Sequence, residues 1–174
     1  MSGYLVLPLT KSPHSRGRIG PRKLQDWYCS LKKARLVAME FQPSTILILS
    51  NLQVAGEKHE VDLYLTAARE LGISDDIEAV RETYETMGQL EYSYAKVERE
   101  GKKLIVVSTL LHFPRVWWLC RGHRVKHFVA LGIPRPFGAV MDVILTFVFP
   151  VLDVLGKREW LKKRLDARRV AGKL

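Results

Sequence analysis

At 174 residues and 47% hydrophobic content, the chain is long enough for one domain with a substantial core and too apolar for wholesale disorder. Two cysteines, Cys29 and Cys120, are too few for a disulfide framework or a cysteine-based zinc site, and both sit in helix-like apolar patterns that suit inert thiols. The formal net charge of +10 is polarised: residues 1–35 carry eight basic and one acidic side chain, 36–110 seven and thirteen, and 157–174 eight and two, so the two ends suit an anionic partner.

Alternating strand and helix signals run along the chain. Tyr4–Leu9 reads as a strand, and a Ser-, Pro-, Gly- and Arg-bearing loop covers residues 10–21. A helix follows from Arg22 to Glu40, with Leu24, Trp27, Tyr28, Leu31, Ala34 and Leu36 at near-helical spacing. Pro43-Ser44 breaks it, and Thr45–Ser50 is a second strand. Glu57–Leu71 is helical, with Val61, Leu65 and Ala68 on one face and Gly72 as its cap. Ile77–Val80 is a third strand, Tyr84–Glu100 a helix stopped by Gly101, and Leu104–Thr109 a fourth strand. A short helix from Pro114 to Arg121 ends at Gly122, and Arg124–Leu131 is the fifth strand. Strands separated by helical segments of this length imply βαβ units. With right-handed crossovers they give an α/β, doubly wound, mainly parallel five-stranded sheet in a three-layer sandwich. On this reading the α/β domain covers residues 1–135, with its core complete by about Leu131, and residues 136–174 form a C-terminal extension.

The densest chemistry lies in residues 104–117, LIVVSTLLHFPRVW. A saturated apolar run reads as a strand buried on both faces. It ends in Ser108-Thr109, and His112 and Arg115 stand at the start of the next helix with Pro114 at its first position. Ligands of open α/β sheets lie beyond the carboxyl ends of the strands. Arg115 in a first helical turn opposes the macrodipole, at a cost of roughly 0.3–1 kcal/mol, and a bound anion reverses that sign. The competing reading is an arginine pointing to solvent and a satisfied loop histidine.

VSTLLHFPRV (residues 107–116) resembles the V-T-S-x-x-H-M-P-R-A motif of the YdcF/SanA/ElyC-like bacterial proteins. The resemblance extends from about residue 3 to residue 135. ILILSNL (46–52) stands where that family has a strand ending in Ser-Gly-Gly, and Glu60 precedes Leu71-Gly72-Ile73 as the family's glutamate precedes its Leu-Gly-Val turn. Thr83 and Thr86 fall on the Ser and Thr of its E-x-x-S-x-N-T-x-E-N segment. The resemblance implies a ligand site formed by Ser50, Asn51, Glu60, Thr86, Ser108, Thr109, His112 and Arg115. In it His112 and Arg115 hold an anionic group, and Glu60 and His112 are the candidate catalytic acid or base. For some members it also implies S-adenosylmethionine binding and a link to the cell envelope. Departures are specific: Tyr4–Leu9 runs into Thr10 without a glycine-rich turn, Ser-Gly-Gly is Ser50-Asn51-Leu52, and Asn-Thr-x-Glu-Asn is Glu85-Thr86-Met87-Gly88-Gln89. Lost glycines weaken the close backbone grip on a phosphate.

The extension opens with AVMDVILTFVFPVLDVL (139–155), too short and too interrupted by Asp142, Pro150 and Asp153 for a spanning helix. It reads as a helix packed on the domain and kinked or ended near Pro150. KREWLKKRLDARRV (157–170) is a basic helix in which Trp160, Leu161 and Leu165 make a narrow apolar stripe, suited to an anionic membrane surface or to docking on the chain's own domain or a second copy through residues 139–170.

Three functional readings compete. The first is a YdcF-like protein binding a small anionic or nucleotide-like ligand. The second is a non-catalytic, membrane-peripheral or envelope-related interaction protein. Nucleic-acid binding ranks last, because basicity is unaccompanied by helix-turn-helix, zinc-finger or stacking signatures. No Walker A or intact G-x-G-x-x-G occurs, and His14, His59, His112, His123 and His127 show no helical HExxH pairing, since the four-residue separation of His123 and His127 falls at the predicted fifth strand and gives no chelating helix face. MSGYLVLPLT has no basic region before its apolar run, so no secretory signal and a reducing, cytoplasmic setting are expected.

Overall fold

The computed structural model describes residues 3–9, 21–50, 59–73, 76–82, 86–132 and 136–170. Its centre is a sheet of five parallel strands: β1 (Tyr4–Leu9), β2 (Ser44–Leu49), β3 (Ile77–Val80), β4 (Lys103–Thr109) and β5 (Lys126–Ala130). Their spatial order is β3-β2-β1-β4-β5, a Rossmann-like winding. Six helices join and flank them: α1 (Pro21–Glu40), α2 (Glu60–Glu70), α3 (Thr86–Glu100), α4 (Phe113–Cys120), α5 (Pro136–Val154) and α6 (Arg158–Val170). The expected doubly wound α/β sandwich is the fold observed.

Alternation along the strands divides the core in two. Val6, Ile46, Ile48, Ile105 and Val107 point to α1 and α2, where they meet Trp27, Leu31, Val61 and Tyr64. Leu5, Leu7, Leu47, Leu49 and Val106 point to the other face, where Met87, Leu90, Val116, Leu119, Phe149 and Leu161 cover them. A strand lined by aliphatic side chains on both faces is stable only in this two-sided setting, which is why the runs in β1, β2 and β4 show no polar alternation.

Several boundaries differ from the sequence reading. Residues 57, 58, 84 and 85 lie outside the described residues; α2 begins at Glu60 after an extended His59, and α3 at Thr86. In α1 the buried side chains are Trp27, Ser30, Leu31, Ala34, Val37 and Ala38, while Leu36 is exposed, because it falls about 180° from Trp27 around the helix. The chain turns at Gly72 and Gly101 with φ of 66° and 63°, a conformation that glycine adopts without a side-chain clash. β5 starts two residues later and ends one earlier than expected; His123 lies in the turn after α4 and stacks on Tyr94, while His127 in β5 meets Phe113 edge-on.

The extension departs further. α5 continues through Pro150 to Val154. Phe149 and Leu152 pack on either side of the proline, and Asp153 is held by Trp118 at 3.0 Å and Arg121 at 3.1 Å, which keeps the last turn helical despite the missing N–H. Trp160 and Leu161 do not share a stripe: Leu161 is buried in the second core and Trp160 is exposed. The core is therefore not complete at Leu131, since Phe149 and Leu161 belong to it. Among the described residues no helix is long and apolar enough to cross a membrane.

Two outcomes follow from this packing. Leu161→Ala should lower unfolding free energy in urea by about 2 kcal/mol or more, the low end for buried Leu→Ala changes; an unchanged midpoint and slope would detach α6 from the core. The second concerns Lys96, buried on α3 and bound to Glu78 of β3 at 2.8 Å and to Glu100 at 2.5 Å. Hydrogen bonds from Lys96 and then Lys102 hold the Glu100 carboxyl at about 2, below its ordinary 4.5. A depressed carboxyl stabilises the fold above its unfolded value, and this contribution is lost as pH falls from 4.5 through about 2. Glu100→Gln should flatten the stability–pH curve in that window, and an unaltered acid slope would contradict the assignment.

Candidate functional site

The winding changes direction between β1 and β4: one crossover leads outward through β2 to β3, and α3 returns the chain across β1 to β4. That reversal leaves a crevice at the carboxyl ends of the two strands. Leu9 pairs with Ser108 there, and counting on from the Tyr4–Ser44 pair sets Leu49 at the same level, so Ser50 and Ser108 sit at the carboxyl edge two strand spacings apart, about 10 Å.

Ser50 extends β2 by one residue, its N–H reaching the Val80 carbonyl at 3.2 Å. It continues the alternation of Ile46 and Ile48, toward α2, and its hydroxyl donates to Glu60 Oε2 at 2.5 Å. Glu60 is the first residue of α2 and is buried; a carboxylate in a first turn is favoured by the macrodipole. The two residues form one cluster, on the α1/α2 side of the sheet.

A second cluster lies on the other side. Ser108 shares the alternation of Leu104 and Val106 toward α3 and α4. Its hydroxyl is buried and has no hydrogen-bond partner among the described residues. The turn after β4 closes with His112 N–H on the Thr109 carbonyl at 3.0 Å, and His112 is the residue before α4. Pro114 is the second rather than the first helical residue, a position whose N–H is equally dispensable. His112 and Arg115 are both buried; Arg115 Nη2 lies 2.7 Å from His112 Nδ1, and Thr86 Oγ1 from α3 lies 3.5 Å from Nε2. The same Nη2 lies 3.4 Å from Nε2, so the guanidinium rests against both ring nitrogens, and the donor and acceptor roles at His112 follow its tautomer. The Phe149 ring faces the guanidinium at 5.2 Å.

The clusters thus draw on β2 with α2 and on β4 with α3 and α4. Glu60 and His112 belong to opposite sides of the sheet rather than to one dyad, so each would act on a different part of a ligand spanning the edge. Thr109, the last residue of β4, pairs with Ala130 and is half-buried, on the face opposite Ser108. Asn51 and Thr83 lie outside the described residues. Burial of Arg115 contradicts the competing picture of a side chain in solvent.

Two contributors escaped the sequence reading. Gln89 Nε2 donates to the Leu49 carbonyl at 2.7 Å, tying α3 to the end of β2; its place at the last Asn of the E-x-x-S-x-N-T-x-E-N segment was the available signal. Phe149 comes from α5, and nothing local marks it as a partner of Arg115. Elsewhere burial pushes the Cys120 thiol up and His127 down, which leaves both neutral near pH 7. Among the described residues no three His, Cys, Asp or Glu side chains gather as metal ligands.

No protein-family model, curated protein or solved structure matches the chain.

The contact between Arg115 and the imidazole is checked by long-range 1H–15N correlation on labelled protein. Arg115→Ala should shift the His112 ring nitrogens, and unchanged ring resonances would contradict the contact.

Proposed function

We propose that the chain is a YdcF-like protein that binds a small anionic or nucleotide-like ligand across the carboxyl ends of β1, β2 and β4. The observation that carries this reading is the half-buried Thr86 joined to the buried His112 and Arg115 just beyond β4, the strand whose Ser108 hydroxyl is buried without a hydrogen-bond partner among the described residues. A ligand carboxylate or phosphate there draws on the Arg115 guanidinium and on the N–H groups opening α4 together. Ser108 supplies a hydroxyl already stripped of water, so a hydrogen bond to the ligand regains what burial cost. Ser50 and Glu60 meet the far end of the ligand, where the carboxylate accepts from hydroxyl or amine groups and serves as the candidate acid or base, with His112 the second candidate. S-adenosylmethionine enters through the resemblance alone. The altered turns at Ser50-Asn51-Leu52 and after β1 favour side-chain contacts over a backbone phosphate cradle, and they also favour a second reading, a non-catalytic interaction protein.

The test is calorimetric titration with S-adenosylmethionine and with inorganic phosphate. Ser108→Ala should leave unliganded stability equal or raise it by about 1–2 kcal/mol, because it removes an unsatisfied buried hydroxyl, and should weaken binding by about tenfold, the worth of one hydrogen bond. Arg115→Lys keeps the charge but loses the planar fork and should weaken binding further. Heat from neither probe, or wild-type affinity in both variants, contradicts the reading.

A further inference from the structure

We propose that the first turns of α5 and the last turns of α6 dock the protein on an anionic phospholipid surface, with the carboxyl edge of the sheet toward the lipid. This goes beyond the ligand reading and does not depend on it.

The direction of α5 follows from its contacts. Phe149 faces Arg115 near the start of α4, and Asp153 binds Trp118 and Arg121 near its end. The two helices therefore run the same way, down from the carboxyl edge. α4 starts only two residues before Arg115, so by the same register residues 136–146 of α5 come before its start and extend past it by about 16 Å at 1.5 Å per residue. Among the side chains described there, Val140, Val143 and Ile144 are exposed, and Phe147, level with the start of α4, is 71% exposed. A surface helix ordinarily turns polar residues outward, so an apolar projecting arm marks an interaction surface.

α6 returns to the same edge. Arg158 lies near Tyr94 and Cys120, and one turn later Lys162 pairs with Glu91. As α6 advances, its partners on α3 fall back toward Thr86, so the helices are antiparallel, and α6 climbs to the edge where α3 begins. Beyond Leu161 the helix carries Lys162, Lys163, Arg164, Arg168 and Arg169 against the single acid Asp166.

An apolar arm and a cationic arm reaching one edge match the two layers of an anionic bilayer, acyl chains and phosphates. A second copy fits less well, because self-complementary pairing through α5 brings two basic α6 helices together. Acidic proteins offer charge without the apolar layer that α5 requires.

The experiment is flotation of the full chain with phosphatidylcholine vesicles and with vesicles that also contain phosphatidylglycerol. The wild type should float with the anionic vesicles only and be released by high salt. Val143→Asp with Phe147→Asp, both exposed, should abolish flotation; Lys163→Glu with Arg164→Glu should reduce it by about tenfold or more. Matching melting curves verify that each variant is folded, and the salt release needs no variant. Equal flotation with neutral vesicles, salt-resistant flotation, or wild-type flotation by the α5 variant overturns the proposal. So does absence of flotation together with a dimer that Phe147→Asp dissolves, which would assign the arm to self-association.

Discussion

Burial of β1 and β4 on both faces is the constraint on which the rest of the structure depends. Leu5, Leu7 and Leu104 can be covered on one side only if Val6, Ile105 and Val107 are covered on the other, so helices must lie on both faces and the winding must reverse once. The reversal falls between β1 and β4, and it opens the sheet at the point where Ser108, His112 and Arg115 stand. Site and core are consequences of the same packing requirement. The C-terminal helices enter for the same reason: α3 and α4 share the second face with Phe149 and Leu161.

Within that frame the electrostatics are local. A cation in the first turn of α4 is disfavoured by the helix and by burial, and the fold meets this with the imidazole of His112 and the ring of Phe149. Across the sheet the charge logic is reversed: Glu60 is an anion in a first turn, where the dipole favours it, with Ser50 donating. The two sides of the sheet edge thus differ in charge, with the Arg115 guanidinium on one and the Glu60 carboxylate on the other, and the proposed ligand reading rests on that polarity.

Much of the fold was legible because the physics is local. The aliphatic runs of β1, β2 and β4 have no other stable use, and Gly72 and Gly101 mark turns that only a positive φ completes. Ser108, His112 and Arg115 were picked out from one strand end and the helix start that follows it, whereas Ser50, Glu60 and Thr86 entered only through the family resemblance. Their division between two faces was not read, although Ser50 and Ser108 differ in their alternation with Ile48 and Val107. What depends on contacts distant in sequence was hidden. Phe149 meets Arg115 34 residues away, Asp153 holds α5 past Pro150, and Leu161 turns inward while its neighbour Trp160 turns out. A helical stripe read from spacing alone cannot tell which of two adjacent apolar residues the domain will cover.

The central claim is that the buried polar groups at the reversal form one anion-binding site. The most direct measurement is a titration of 15N-labelled protein with S-adenosylmethionine, and separately with phosphate, followed by amide and His112 ring resonances. The account expects shifts concentrated at Ser108, Thr109, His112 and Arg115, with Ser50 and Glu60 responding to the larger probe alone. Shifts confined to the basic residues of α6, with the carboxyl edge of the sheet unmoved, would contradict it.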